Sequence, residues 1–250
     1  MRTLIYIFLV LPQIFFAQNG FEIGNELYRN NQFKEAVEAY ESVLKTNKHS
    51  AELYFNLGNA YYKLNKVAPS IYYFEKALLL SPNDKDIQNN LVFAQKRQID
   101  EIKDVPEVGF EKALTNITSS RTYNSWAWVA VFGSGFILLF FALYYFANRT
   151  LWKRVFFSAM LVSGLVLIVG VFAAVFERNK EQLFRPAIVF DEAVAVKAEP
   201  KEQSTDAFTL HEGTKVEVKE NLDDWRKIEL PDGTNGWIKA KSIKELKENL

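Results

Sequence analysis

The chain has 250 residues, room for one large domain or two to three small ones, with 30 basic and 30 acidic residues and no cysteine. Residues 18–104 are near charge balance and residues 187–250 are mildly acidic, which argues against nucleic-acid binding. Without cysteine there is no disulfide, no thiolate metal site, no thiol nucleophile and no N-terminal lipid-bearing cysteine.

The sequence begins MRTLIYIFLVLPQIFFAQNG. Arg2 is a minimal basic n-region, residues 4–16 form a short apolar core interrupted by Pro12, and Ala17 is a small residue before Gln18. This is the pattern of a secretory signal peptide over residues 1–17. A buried N-terminal helix is the alternative.

From residue 19 to about 103 the chain repeats at a lag of 34 residues. Gly24 recurs as Gly58, Asn25 as Asn59, Tyr28 as Tyr62 and Asn31 as Asn65, and conservative pairs keep the register: Phe21 with Phe55, Arg29 with Lys63, Tyr40 with Phe74. A period of 34 is the signature of a helix–turn–helix repeat whose members stack to bury a shared core. Residues 53–82, LYFNLGNAYYKLNKVAPSIYYFEKALLLSP, resemble the tetratricopeptide repeat: Tyr54 in the usual Trp place, then Leu57-Gly58, Tyr61, Phe74, Ala77 and Pro82. Gly58 lets the two helices of a repeat approach, and Pro82 cannot extend the second. The third copy keeps only Leu91, so the expectation over residues 18–103 is two repeats and a polar capping helix.

Pro106 and the Thr and Ser residues mark residues 104–125 as a linker, in which Val108, Phe110, Leu114 and Ile117 form either a short helix on a bilayer surface or a plain tether. Residues 126–147 and 155–176 follow, each about 22 residues without a charge. At about 1.5 Å per residue each reaches roughly 33 Å, enough for a hydrocarbon core of about 30 Å. Trp126, Trp128, Tyr144, Tyr145 and Trp152 sit at the span ends, where amphipathic rings favour headgroups. Between the spans, residues 148–154 hold Arg149, Lys153 and Arg154 and no acid, the density expected of a cytoplasmic turn. Together with the signal peptide, that predicts a hairpin with its tip in the cytosol and both soluble parts outside. Ala159, Ser163, Gly170 and Ala174 share one face of the second span, for packing against the first or against a partner's helix.

After a second short linker, residues 177–186, residues 187–250 change to short alternating runs such as KVEVK and WRKIE, with turn signals at Glu212-Gly213, Asp223-Asp224 and Pro231-Asp232-Gly233. They predict a small closed barrel. The order Glu212-Gly213-Thr214, Asp224-Trp225, Asp232-Gly233, Gly236-Trp237-Ile238 resembles bacterial SH3-like domains.

Reaction chemistry is nearly absent from the pattern. His49 and His211 lie in different domains, no phosphate-binding loop occurs, and Gly133-Ser134-Gly135 is inside a span. No enzyme, metal or cofactor is expected. The candidate site is a surface. On the first helix of each repeat, positions four apart face one way. Phe21, Asn25 and Arg29, then Phe55, Asn59 and Lys63, form two parallel tracks that Asn90 and Arg97 extend. Ring, amide and cation suit an extended acidic peptide; the alternative is that the asparagines and rings only hold the stack. Trp225 and Trp237 are either packing residues of the barrel or a ligand platform.

The order of modules resembles the BatE-type proteins of the aerotolerance (Bat) group of the Bacteroidetes, over nearly the whole chain. The resemblance implies a multidomain membrane protein: an all-α tetratricopeptide solenoid, a two-helix transmembrane hairpin and a small all-β SH3-like barrel. It further implies an inner-membrane scaffold with periplasmic modules, working beside von Willebrand A-type membrane proteins and a MoxR-type ATPase in stress tolerance. A peptidoglycan-binding or wall-sensing protein acting through the barrel is the alternative.

Overall fold

The computed structural model describes residues 20–102 and 110–247. The expected signal peptide and Val108 lie outside the described residues. The chain forms two compact units, one uniting the residues up to 102 with those from 185 on, the other comprising residues 110–184.

In the first unit the 34-residue period becomes paired helices: α1 (20–29) with α2 (Phe33–Leu44), α3 (Ala51–Lys63) with α4 (Val67–Leu80), and α5 (Lys85–Gln95). Helix starts are set by caps where the sequence supplies them. Ser50 accepts from the Leu53 N–H, and Asp84 accepts from the N–H groups of Asp86 and Ile87. The turns inside both repeats use Asn31 (φ 60°) and Asn65 (φ 58°), a left-handed conformation that Asn tolerates better than most residues. A Cβ at Gly58 would lie 2.6 Å from the Phe74 ring, and one at Gly24 2.4 Å from that of Tyr40. These glycines therefore set how closely the helices of a repeat pack. Leu53, Leu57, Ala60, Ala36 and Tyr40 fill one core, and Tyr54, Ile71, Phe74, Ile87 and Leu91 another.

The C-terminal part is an antiparallel sheet of seven strands: β1 (Pro186–Val189), β2 (Ala193–Lys197), β3 (Asp206–His211), β4 (Lys215–Leu222), β5 (Trp225–Glu229), β6 (Asn235–Lys239) and β7 (Ile243–Glu245). Their order is β3-β2-β6-β5-β4-β1-β7. Val189, Val196, Val218, Ile228 and Ile238 form its core. The closed barrel expected from the sequence is not what forms. End strands β3 and β7 do not pair, and β2 meets β6 at a single register pair, Lys197 with Trp237. The physical reason lies at the β7 end, where the helical repeats cover the strand edge that closure would need. Leu246, just past β7, is fully buried in the helical core, and the Tyr72 hydroxyl donates to the Glu245 carbonyl at 3.5 Å.

The helices and sheet therefore share one interior. Strand β1 is buried along its length: Ala187 and Val189 face the sheet core, while Ile188 joins Ile71 and Phe74 in the helical core. The α4 face carrying Val67, Ile71 and Glu75 meets the turn before β4. Gly213 there has φ +89° and lies so close that a Cβ would sit 3.0 Å from Ile71 and 3.1 Å from Val67. The Glu212 carboxylate accepts from the Ala68 N–H at 3.4 Å, placing an anion from the sheet at a helix start that lacks its own side-chain cap. Lys215 pairs with Glu75 at 2.7 Å, and that carboxylate's side chain is only 9% exposed. Arg185 makes a two-pronged pair with Glu245, at 3.0 and 2.7 Å, tying the entry of β1 to β7.

The second unit contains α6 (Phe110–Thr118), α7 (Tyr123–Phe146) and α8 (Thr150–Leu183). Helices α7 and α8 are long and apolar enough to cross a membrane, and little of either apolar window is buried within the protein. A core helix of a soluble protein would be covered; here Phe132, Leu138, Leu161, Leu165 and Ile168 are exposed. The two helices pack on each other through small residues. A Cβ at Gly133 would meet Leu167 at 3.2 Å and one at Gly170 the Ala130 backbone at 3.0 Å, while Ser163 and Ala173 are buried. The small-residue face read from the sequence thus serves the hairpin itself at Ser163 and Gly170. The connection is shorter than expected, because α8 begins at Thr150 and takes Lys153 and Arg154 into its first turns.

Replacing Ile188 tests whether repeats and sheet fold as one. Ile188→Ala should destabilise the intact protein by about 2–5 kcal/mol, the usual range for emptying a fully buried site. Thermal unfolding followed by far-ultraviolet circular dichroism should lose helix and strand together, at a lower temperature than in the parent.

Candidate functional site

The first helices of the repeats, α1 and α3, and helix α5 line one side of the array. Their amides form a repeating link. Asn25 Oδ1 accepts from the Asn56 amide at 2.9 Å and from the Tyr40 hydroxyl at 2.7 Å. One period on, Asn59 Oδ1 accepts from the Asn90 amide at 3.1 Å. These oxygens, expected to meet a peptide, join each first helix to the next. Phe21 and Phe55 are partly buried, their rings 5.9 Å from Tyr40 and Phe74 respectively.

The cations are arranged differently. Arg29, Lys63 and Arg97 stand one repeat apart, and all three are exposed. Each lies at or just beyond the C-terminal end of its helix, where a positive charge also answers the helix dipole. Arg97 is held: its guanidinium lies 3.7 Å from the Tyr62 ring centroid and donates to the Tyr62 carbonyl and Asn65 Oδ1, both at 3.0 Å. Of the eight sequence-predicted residues, Asn25, Asn59 and Asn90 form the amide link between helices, Arg29, Lys63 and Arg97 are exposed charges one repeat apart, and Phe21 and Phe55 pack on the core.

Helix α5 closes the series. Val92 stands at the register of Gly24 and Gly58, and Phe93 at that of Asn25 and Asn59; both are exposed. A further second helix would meet Val92 where Phe74 meets Gly58.

On the sheet, Trp225 is 8% exposed, with the Lys239 ammonium 4.0 Å from its ring centroid. It packs under that lysine. Trp237 is half-buried on β6, with Lys227 at 6.0 Å.

The sequence did not point to the junction between repeats and sheet. Residues 98–102 cross onto the sheet: Gln98 donates to the Gly213 carbonyl, and Ile102 packs on the sheet core. Asp100, its side chain 14% exposed, collects three partners. The His211 N–H and the Thr214 hydroxyl donate to Oδ2 at 2.7 and 2.6 Å, and His211 Nδ1 lies 2.7 Å from Oδ1. Burial works against the Asp100 charge, but the bonds from Thr214 and His211 together with the His211 ring outweigh it, holding the carboxyl below its ordinary range. A cleft of about 660 Å³ lies beside it, with Ile71, Glu75, Gln98, Asp100, Thr214 and Lys215 among its walls. His211 is therefore a junction residue, and His49 sits against the Tyr54 hydroxyl at 2.6 Å. Among the described residues, no group of three or more His, Asp or Glu could hold a metal ion.

Comparison with known families agrees with this division. Residues 24–65 match the family described as TPR repeat, residues 51–84 that described as tetratricopeptide repeat, and residues 192–244 that described as bacterial SH3 domain. No curated protein matches the chain. The chain carries tetratricopeptide repeats and a bacterial SH3 domain, both of which point to protein–protein interaction.

The Asp100 cluster makes junction stability depend on pH. A carboxyl held below its unfolded value of about 4 contributes fully above that pH and loses its contribution as pH falls through the lowered folded value. Asp100→Asn should lower stability by about 1–3 kcal/mol near neutrality, the range for losing bonds to a buried charge. In thermal unfolding of the detergent-solubilised protein, the gap between parent and variant should narrow as pH falls below about 4. An unchanging gap would show that the carboxylate charge is irrelevant.

Proposed function

We propose that this protein is an inner-membrane-anchored adaptor whose tetratricopeptide and SH3-like modules bind other envelope proteins from the periplasmic side. The observation that carries the reading is the column Arg29, Lys63 and Arg97, three exposed cations at one register. The sheet seats on α4 and the 98–102 segment, while Arg29, Lys63 and Arg97 remain exposed. A run of cations spaced by one repeat suits an extended acidic segment of a partner.

The geometry of the first unit supports the topology. Residues up to 102 and from 185 on share one core, so both must occupy the same side of any bilayer that the intervening hairpin crosses. Two crossings satisfy that condition and one does not. The basic residues Arg149, Lys153 and Arg154 at the hairpin tip favour the cytosol for the tip, and hence the periplasm for the soluble unit. The resemblance to BatE-type proteins supplies the setting: a Bat-type stress-tolerance complex with von Willebrand A-type proteins and a MoxR-type ATPase. Because the modules are packed together, a partner touching both would meet a fixed geometry and forgo the ordering cost of two tethered domains.

A second reading is favoured by the bacterial SH3 match over residues 192–244: binding of cell-wall peptide through the sheet. Two assays on the intact protein separate the readings. For the adaptor, crosslinked partner recovery from mildly solubilised membranes should fall at least about five-fold in the Arg29→Glu, Lys63→Glu variant and decline with added salt. For the wall binder, sedimentation with purified peptidoglycan should persist whatever stands at positions 29 and 63, and partner recovery should not change.

The absence of cysteine makes orientation directly testable. In intact spheroplasts a membrane-impermeant maleimide should label Lys63→Cys and Lys219→Cys, and should label Arg149→Cys only after lysis. The opposite pattern overturns the periplasmic placement.

A further inference from the structure

The hairpin carries a third helix that the adaptor reading does not use. On helix α6, Leu114 and Ile117 stand three residues apart on one side, with Lys112 and Thr115 on the rest of its circumference. It is fastened to the apolar pair at its C-terminal end. The Trp126 indole N–H donates to the Thr118 carbonyl at 2.8 Å, and the Thr118 hydroxyl bonds to Glu177 of α8. Thr118 is buried in this joint, and residues 119–122 turn directly into α7. Yet Ile117, one residue before the joint, is 61% exposed, and Lys112 on the opposite side is exposed as well.

We infer that α6 lies on the membrane surface, with its apolar side, Ile117 foremost, in the headgroup–acyl boundary of the leaflet at the open end of the hairpin. Three observations select lipid over a protein partner. Ile117 lies one residue before the Thr118–Glu177 contact, and the adjoining ends of the hairpin also expose apolar residues, Trp128, Val131 and Phe132 of α7 and Phe172 and Val175 of α8. Trp126, whose ring type favours the bilayer interface, is the residue that fixes α6 to that end. The apolar side of Leu114 and Ile117 is backed by the exposed Lys112, the form of a helix lying in an interface rather than across it. The inference rests on reading α7 and α8 as membrane spans. It adds a surface-bound anchor on the chain entering the first span, which restricts how that chain can swing.

The experiment uses the intact, cysteine-free chain with single replacements Ile117→Cys, Lys112→Cys and Leu138→Cys, each labelled with bimane and reconstituted in phosphatidylethanolamine–phosphatidylglycerol vesicles. Leu138 is 71% exposed on α7 and reports on the span. Shallow doxyl-labelled lipid should quench the probe at position 117 at least about two-fold more than at position 112, and aqueous iodide should reverse that order. Iodide quenching at 117 equal to that at 112 overturns the inference, placing α6 in water. Protection of position 117 from both quenchers also overturns it, by placing protein over that position. Deep doxyl lipid should quench position 138; if it does not, the span reading itself fails, whatever position 117 reports.

Discussion

Ile188 of β1 lies between Ile71 and Phe74 of α4 on one side, while its chain neighbours Ala187 and Val189 face the sheet core on the other. A strand with both faces covered is unusual for a small antiparallel sheet, which commonly leaves one face to water. Each fully buried aliphatic side chain contributes about 1.5–3 kcal/mol relative to exposure. Two helical repeats and a cap are near the minimum for a stable array, and a sheet of some sixty residues has little interior of its own. Their shared core relieves both limits. It also explains the open sheet: β7 and Leu246 are held by the helices, so the edge that would close a barrel is already covered.

The same contact governs the arrangement of the chain. The apolar hairpin is an insertion between two parts of one folded unit. Any such insertion that enters a bilayer must return to the side from which it left. Each helix is long and apolar enough to cross, and Ser163 and Gly170 are buried where the two pack as a pair.

Along α1, α3 and α5 the amides bond helix to helix while the cations stay exposed. Amides have short reach and strong directional preference, so Asn25, Asn56, Asn59 and Asn90 serve best where two helices lie within hydrogen-bond distance. Long cations keep their charge in water while their stems cover neighbouring surface. Arg97, stacked on Tyr62 and bonded to two oxygens, is pre-positioned at the end of the column. The junction with the sheet relies on part-buried polar contacts, the Glu75–Lys215 ion pair and the hydrogen bonds of Asp100 with His211 and Thr214, whose strength depends on complete partnering.

Local periodicity by itself determined the repeats, the two apolar helices, the strand-rich C-terminal part and the register of Phe21, Asn25 and Arg29 with Phe55, Asn59 and Lys63. Those features follow from spacings within a few dozen residues: 3.6 for a helix face, 2 for a strand, 34 for a stacked pair. The third copy keeps only Leu91, which predicts two repeats and a capping helix, and Val92 at the register of Gly24 and Gly58 is a second mark of the same change. Contacts between distant segments were decided only by the tertiary structure. Asp100 and His211 are 111 residues apart with the hairpin between them, and neither carries a local pattern that names the other. Ile188 reads as an ordinary barrel strand residue until α4 is placed against it, and the asparagine oxygens read as ligand groups until the neighbouring helix supplies their donors. The reason is physical: pattern reports which face of an element avoids water, whereas the identity of what covers that face depends on the shape and polar complement of a partner remote in sequence.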